Sequence, residues 1–172
     1  MEENLAIERI EDSAYMKMLE TARGEEIKKR KQELYASNKE TANIPMVHQS
    51  VQLMQERDMR YLIDTVWGAQ SAISAKAGIH DLVLTRWNVR KELSPWNCIV
   101  LTKSEAMVHD LSADPETNYA PDFVKKIKQK HIAAHAHFSQ LPDMQSYVKE
   151  AFYEEKRTGK ILHRRLLAVA TK

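Results

Sequence analysis

Residues Ile79–Thr102 read IHDLVLTRWNVRKELSPWNCIVLT, and the fold of the chain depends on how this stretch is interpreted. Every second residue is apolar or β-branched over 83–89 and again over 96–102, as in two strands. Residues 90–95 would connect these runs as a hairpin. A helix would also give the stretch an apolar face, made by Ile79, Leu82, Val83 and Trp87. Since Ser94-Pro95 also resembles a helix cap followed by a first-turn proline, we interpret the stretch as helical.

The composition of the whole chain favours helices. Only four of its 172 residues are glycine, which argues against many tight β-turns because such turns need positive φ. The hydrophobic fraction of 43% and charged fraction of 29% are ordinary for a soluble globular protein, and the length suits one domain. We predict a mainly α-helical single domain over residues 1–172, an antiparallel bundle. A short β-hairpin around 82–102 is the alternative for the ambiguous stretch.

Helix boundaries follow from phase changes and capping residues. The apolar positions change phase after Gly24, which predicts a break, kink or change of partner and marks residues 1–40 as a candidate N-terminal arm. Apolar stripes on two sides predict a long central helix over 45–76. Thr102 and Glu105 have capping-box spacing, which predicts a short helix through about Leu111.

The loop and the helices that follow are marked by prolines. Residues 112–120 contain Asp114-Pro115-Glu116 and predict a loop. Pro121 opens a helix that should end near Phe138. Two more helices are expected after it, so residues 121–172 form a helical subregion.

This subregion is basic. Residues 121–172 carry a net charge of +6, whereas the 120 residues before them carry −4, and this asymmetry indicates an anionic partner. Nucleic-acid binding would need the cations to converge on one surface at phosphate spacing. The candidate binding residues are Lys125, Lys126, Lys128, Lys130, His137, Lys160, Arg164 and Arg165. The alternative is that lysines beside an apolar stripe simply hold their charge in water.

Metal-binding and catalytic signals are weak. His131 and His135 are four residues apart, as zinc ligands on a helix often are, but no glutamate follows the first and spacing supplies no third ligand. We interpret both as core or interface histidines and predict no metal and no cofactor. The lone Cys98 lies in an apolar run and is interpreted as a buried thiol. Phosphate-binding glycine loops and the G-x-S-x-G pattern are absent, so we predict no enzymatic activity.

Two functions are consistent with these observations. The leading prediction is a non-enzymatic protein that binds nucleic acid through its basic C-terminal third, with little base specificity, in an accessory or packaging role. The alternative is a structural or adaptor subunit that self-assembles or binds an acidic protein partner through its N-terminal arm and C-terminal amphipathic helix. No apolar run is long enough to span a bilayer and no secretory leader is evident, so a cytoplasmic location is expected.

Overall fold

A two-stranded antiparallel sheet and several short helices form the fold in the computed structural model, which describes residues 14–28 and 49–148. Residues 14–28 are helical and form α1. The remaining elements are, in chain order, α2 (Gln49–Leu53), α3 (Glu56–Arg60), a π-helix (Tyr61–Val66), β1 (Leu82–Thr85), β2 (Ile99–Thr102), α4 (Lys103–His109), α5 (Pro115–Asn118) and α6 (Pro121–Phe138), with a further helical turn at 145–148. The predicted mainly helical, antiparallel bundle is therefore wrong: the described residues form a mixed structure.

The prediction of a helix over 79–102 is also wrong, because this stretch contains both strands of the sheet, and the alternative of a short β-hairpin around 82–102 is confirmed. Strands β1 and β2 pair antiparallel, with Leu82 opposite Thr102 and Thr85 opposite Ile99. Residues 98–101 are all fully buried. A helix of this size would bury one face, whereas a strand covered on both sides buries consecutive residues. Burial on both sides is therefore what selects the strand.

The loop between the strands is held by one buried amide. Asn97 donates through Nδ2 to the carbonyl oxygens of Asn88 and Glu92, at 3.1 and 2.8 Å, and its Oδ1 accepts from the Asn88 N–H at 2.9 Å. These bonds satisfy backbone groups that a turn would otherwise leave without partners. Ser94 pairs with Asn97 in an isolated bridge and does not cap a helix.

The long helix predicted over 45–76 is broken in its described part, residues 49–76. Gln55 has extended backbone angles and starts α3, where Asp58 accepts from the Gln55 N–H at 2.9 Å. The π-helix ends at Val66, and Gly68 and Ala69 follow with φ of 69° and 52°. Local capping and left-handed backbone thus end the helix before its apolar periodicity does.

Two sequence-based helix boundaries are confirmed. Helix α4 begins after Thr102 with the predicted capping box, and α6 runs from Pro121 to Phe138. The predicted loop at 112–120 contains the single turn α5, capped by Asp114. Side chain–backbone contacts of Thr102 and Asp114 start α4 and α5, whereas α6 starts at a proline without a side-chain cap.

Helix α1 lies within the range predicted as an arm, and it packs into the core. Tyr15, Met18, Leu19 and Ala22 are buried there, and the helix continues through Gly24 without a break. Residues 1–13 and 29–40 of the predicted arm lie outside the described residues. Among helices in the described ranges, none combines the length and the apolar character needed to cross a membrane.

Candidate interaction surface around helix α4

The basic residues predicted on α6 lie in different environments. Lys125 and Lys126 are exposed. Lys128 Nζ lies 3.1 Å from Glu116 Oε1 in an ion pair whose side chains are both about half exposed. The side chains of these three lysines therefore reach solvent, but one of the charges is paired.

The other two predicted residues on α6 point inward. Lys130 Nζ donates to the Val66 carbonyl at 2.9 Å and lies 5.4 Å from the centre of the Trp67 ring. His137 stacks on Tyr61 with ring centres 3.5 Å apart. Both residues fasten α6 to the π-helix, so their contacts are structural. Lys160, Arg164 and Arg165 lie outside the described residues.

The histidines considered as metal ligands pack against the sheet and its loop. His131 Nε2 donates to the Cys98 carbonyl at 2.7 Å, and the His135 ring lies edge-on to Trp96, with ring centres 5.3 Å apart. No group of three or more His, Cys, Asp or Glu suited to a metal occurs within 14–28 and 49–148. Burial raises the pKa of Cys98 to about 12, although a hydrogen bond involving Trp67 opposes it, so this thiol stays protonated.

Helix α4 presents an apolar surface that sequence reasoning missed. Met107, Val108 and Leu111 are 73%, 71% and 86% exposed, and we call these three residues the α4 ridge. The opposite face of α4 buries Ala106 and His109. The sequence did contain a signal for this surface. A short helix such as α4 needs few apolar residues for its core face, and α4 has more apolar residues than that face can bury. Adjacent exposed apolar side chains are typical of interaction sites.

The start of α4 is held by a carboxylate. Glu105 Oε2 accepts from the Thr102 N–H at 2.9 Å and from the Ser71 hydroxyl, while Thr102 Oγ1 accepts from the Glu105 N–H at 3.3 Å. Burial raises the pKa of Glu105, but hydrogen bonds from Ser71, Ser74 and Thr102 outweigh it and lower the pKa to about 2. The ionised capping box therefore fixes α4 against the segment that precedes β1.

The end of α4 is held by a buried histidine. His109 Nε2 lies 3.0 Å from the carbonyl oxygens of both Arg86 and Trp87, so this nitrogen carries the proton. Nδ1 then accepts from the Tyr119 hydroxyl at 2.8 Å. Burial, and next the charge of Glu105, raise the pKa of Tyr119, which keeps the phenol protonated and able to donate. Hydrogen bonds therefore hold both ends of α4, which carries Met107 and Val108, and Leu111 follows in the turn after it.

A groove of about 400 Å³ lies beside the ridge. Among the described residues it is lined by one face of α1, by Ile79 and His80, by β1 and by one face of α4. Met107 belongs to both the groove and the α4 ridge. We call this feature the α1/α4 groove. Through Met107 the groove adjoins Leu111, whereas Val108 faces away from the groove.

Part of the chain is similar to part of a known protein. No family model matches the chain. Over 96 residues the chain is 47% identical to a mouse protein named "IQ motif and ubiquitin-like domain-containing protein". The match covers 56% of this chain and only 12% of the mouse protein. The chain is therefore similar to a small part of a much longer protein.

Proposed function

We propose that this chain is a non-enzymatic protein-interaction module whose α4 ridge contacts a protein partner. The observation that supports it most directly is the exposure of Met107, Val108 and Leu111, each above 70%. Burial of one such side chain against a partner stabilises the complex by about 1.5–3 kcal/mol. Because α4 is fixed at both ends, little conformational entropy is lost when a partner packs against it.

Two further observations support this function. The residues in 14–28 and 49–148 carry equal numbers of basic and acidic side chains, so this part has no net charge that would attract a polyanion. The mouse relative is named for two modules, an IQ motif and a ubiquitin-like domain, and a further interaction module would suit such a protein. The adaptor alternative drawn from the sequence belongs to this same class.

Nucleic-acid binding through residues 121–172 is the second proposal. It is supported by the net charge of +6 in that region and by the exposure of Lys125 and Lys126. The contacts of Lys128, Lys130 and His137 reduce the number of described groups that are available to phosphate. Protein interaction is therefore the proposal that the described geometry favours.

Site-specific photo-crosslinking tests the proposed function. A photoreactive amino acid at position 111, in cells that naturally contain the protein, should form protein adducts at least tenfold more often than one at the exposed Gln129 of α6. An adduct of twice the 19.9 kDa chain mass would identify a second copy, and other masses a different protein. A purified partner should then lose affinity for the Leu111→Asp variant. Equal crosslinking at both positions would refute the proposal.

A further inference from the structure

The two helical walls of the α1/α4 groove each carry charges of opposite sign towards their two ends. Helix α1 presents Lys17, Met18, Thr21, Ala22 and Glu25 to the groove, at the spacing of one helix face. Helix α4 presents Lys103, Ala106, Met107 and Asp110 at the same spacing. Each wall therefore has a lysine towards its N-terminal end and an acid towards its C-terminal end, with methionine and alanine between them.

The acidic ends of both walls lie at the Thr85 end of β1. Lys103 follows Thr102, which pairs with Leu82 at the start of β1, whereas Asp110 Oδ1 accepts from the Thr85 hydroxyl at 3.0 Å at its end. The ion pair between Glu26 and Arg86 places the last turns of α1 at this same end. The groove is thus basic at the Leu82 end and acidic at the Thr85 end.

The distance between the charged ends is set by the helical rise. Eight residues separate Lys17 from Glu25 and seven separate Lys103 from Asp110, which at about 1.5 Å per residue gives roughly 10–12 Å. This length corresponds to about two turns of α-helix.

We infer that the α1/α4 groove binds an amphipathic α-helix of the protein partner, antiparallel to α1 and α4. This inference rests on the proposed function and names the partner's chemistry. The N-terminal end of the bound helix, with its partial positive charge, lies over Glu25 and Asp110, and its C-terminal end lies over Lys17 and Lys103. Apolar residues at positions i, i+4 and i+7 fill the centre.

The α4 ridge distinguishes a helix from a small ligand. Met107 lines the groove, and Leu111, four residues further along, continues the apolar surface beyond it, whereas Val108 faces away from the groove. A molecule confined to about 400 Å³ would leave that surface in water, whereas a helix seated in the groove extends over it.

Peptide display with charge exchange tests this inference. A library of 18-residue helical peptides is selected against the full 172-residue chain, and selected peptides are measured by fluorescence anisotropy. We expect apolar residues at i, i+4 and i+7, basic residues near the N-terminus and acidic residues near the C-terminus. The double variant Lys17→Glu/Lys103→Glu should weaken binding at least tenfold, and peptides whose acidic end is changed to lysine should restore it.

The matched control is Lys125→Glu/Lys126→Glu, which changes net charge equally on the exposed face of α6 and should leave affinity unchanged. Circular dichroism checks that each variant is folded. Equal loss with both double variants, or selection of non-helical peptides, would overturn the inference. If peptide binding is unchanged in the Lys17→Glu/Lys103→Glu variant but lost in Leu111→Asp, the groove is not the binding site. The proposed function would still stand in that case. Absence of protein crosslinks at position 111 would refute the function itself.

Discussion

Replacement of Glu26 by glutamine should destabilise the protein by about 3–5 kcal/mol. Glu26 Oε2 lies 2.8 Å from Arg86 Nε, and the two side chains are only 2% and 4% exposed. The contact is short, and both charged groups are removed from water. Arg86 also donates to the Val89 carbonyl at 2.7 Å, which holds the guanidinium in place when the carboxylate is removed.

The magnitude follows from the burial of the pair. At 2.8 Å and an effective dielectric constant of about 20, the charge–charge attraction alone is roughly 6 kcal/mol, and desolvation offsets part of it. A typical domain has about 5–15 kcal/mol of total stability, so the variant should still fold. With a urea slope of about 2 kcal/mol per M, the unfolding midpoint should fall by about 1.5–2.5 M.

Urea unfolding followed by tryptophan fluorescence measures this change, since Trp67 and Trp87 are buried. The matched control is Glu116→Gln, because Glu116 and Lys128 lie 3.1 Å apart but are both 52% exposed. That variant should lose less than about 1 kcal/mol. Similar midpoint shifts in the two variants would refute the reasoning from burial. The double variant Glu26→Leu/Arg86→Met should recover most of the stability, because it removes both buried charges.

Three further predictions concern acid stability, a buried hydrogen bond and nucleic acid. The pKa of Glu105 is lowered from 4.5 to about 2, so its contribution of roughly 1–2 kcal/mol is present above pH 4.5 and is lost as pH falls towards 2. In urea unfolding, the Glu105→Gln variant should not show this loss of unfolding free energy at low pH. A pH dependence of unfolding equal to that of the unsubstituted protein would contradict the prediction. Tyr119→Phe removes the donor to buried His109 and should cost about 1–3 kcal/mol in thermal unfolding; an unchanged midpoint would contradict that. If nucleic acid binds, reversing Lys125 and Lys126 should reduce the log–log salt slope by about 0.9 per lost phosphate contact, whereas a salt-independent affinity would end that proposal.

Helix ends were the features that could be predicted well from sequence. Thr102 and Glu105 are three residues apart, and their reciprocal contacts need nothing from elsewhere in the chain. Pro121 likewise starts α6 through its own restricted φ. Periodicity failed over 45–76 because the apolar pattern continues past positions where local capping ends the helix. The α4 ridge was missed because apolar residues were assumed to face the core.

The sequence alone therefore determined where α4 and α6 start, since capping contacts and proline geometry act within one helical turn. Only the tertiary structure decided that 82–85 and 99–102 are strands, because their preference depends on being covered on both sides by distant residues. The tertiary structure also decided which of the predicted basic residues can reach a partner, since Lys130 donates to a carbonyl 64 residues away. A side chain's charge can be read from sequence, but whether water, an acid or the core surrounds it depends on long-range packing.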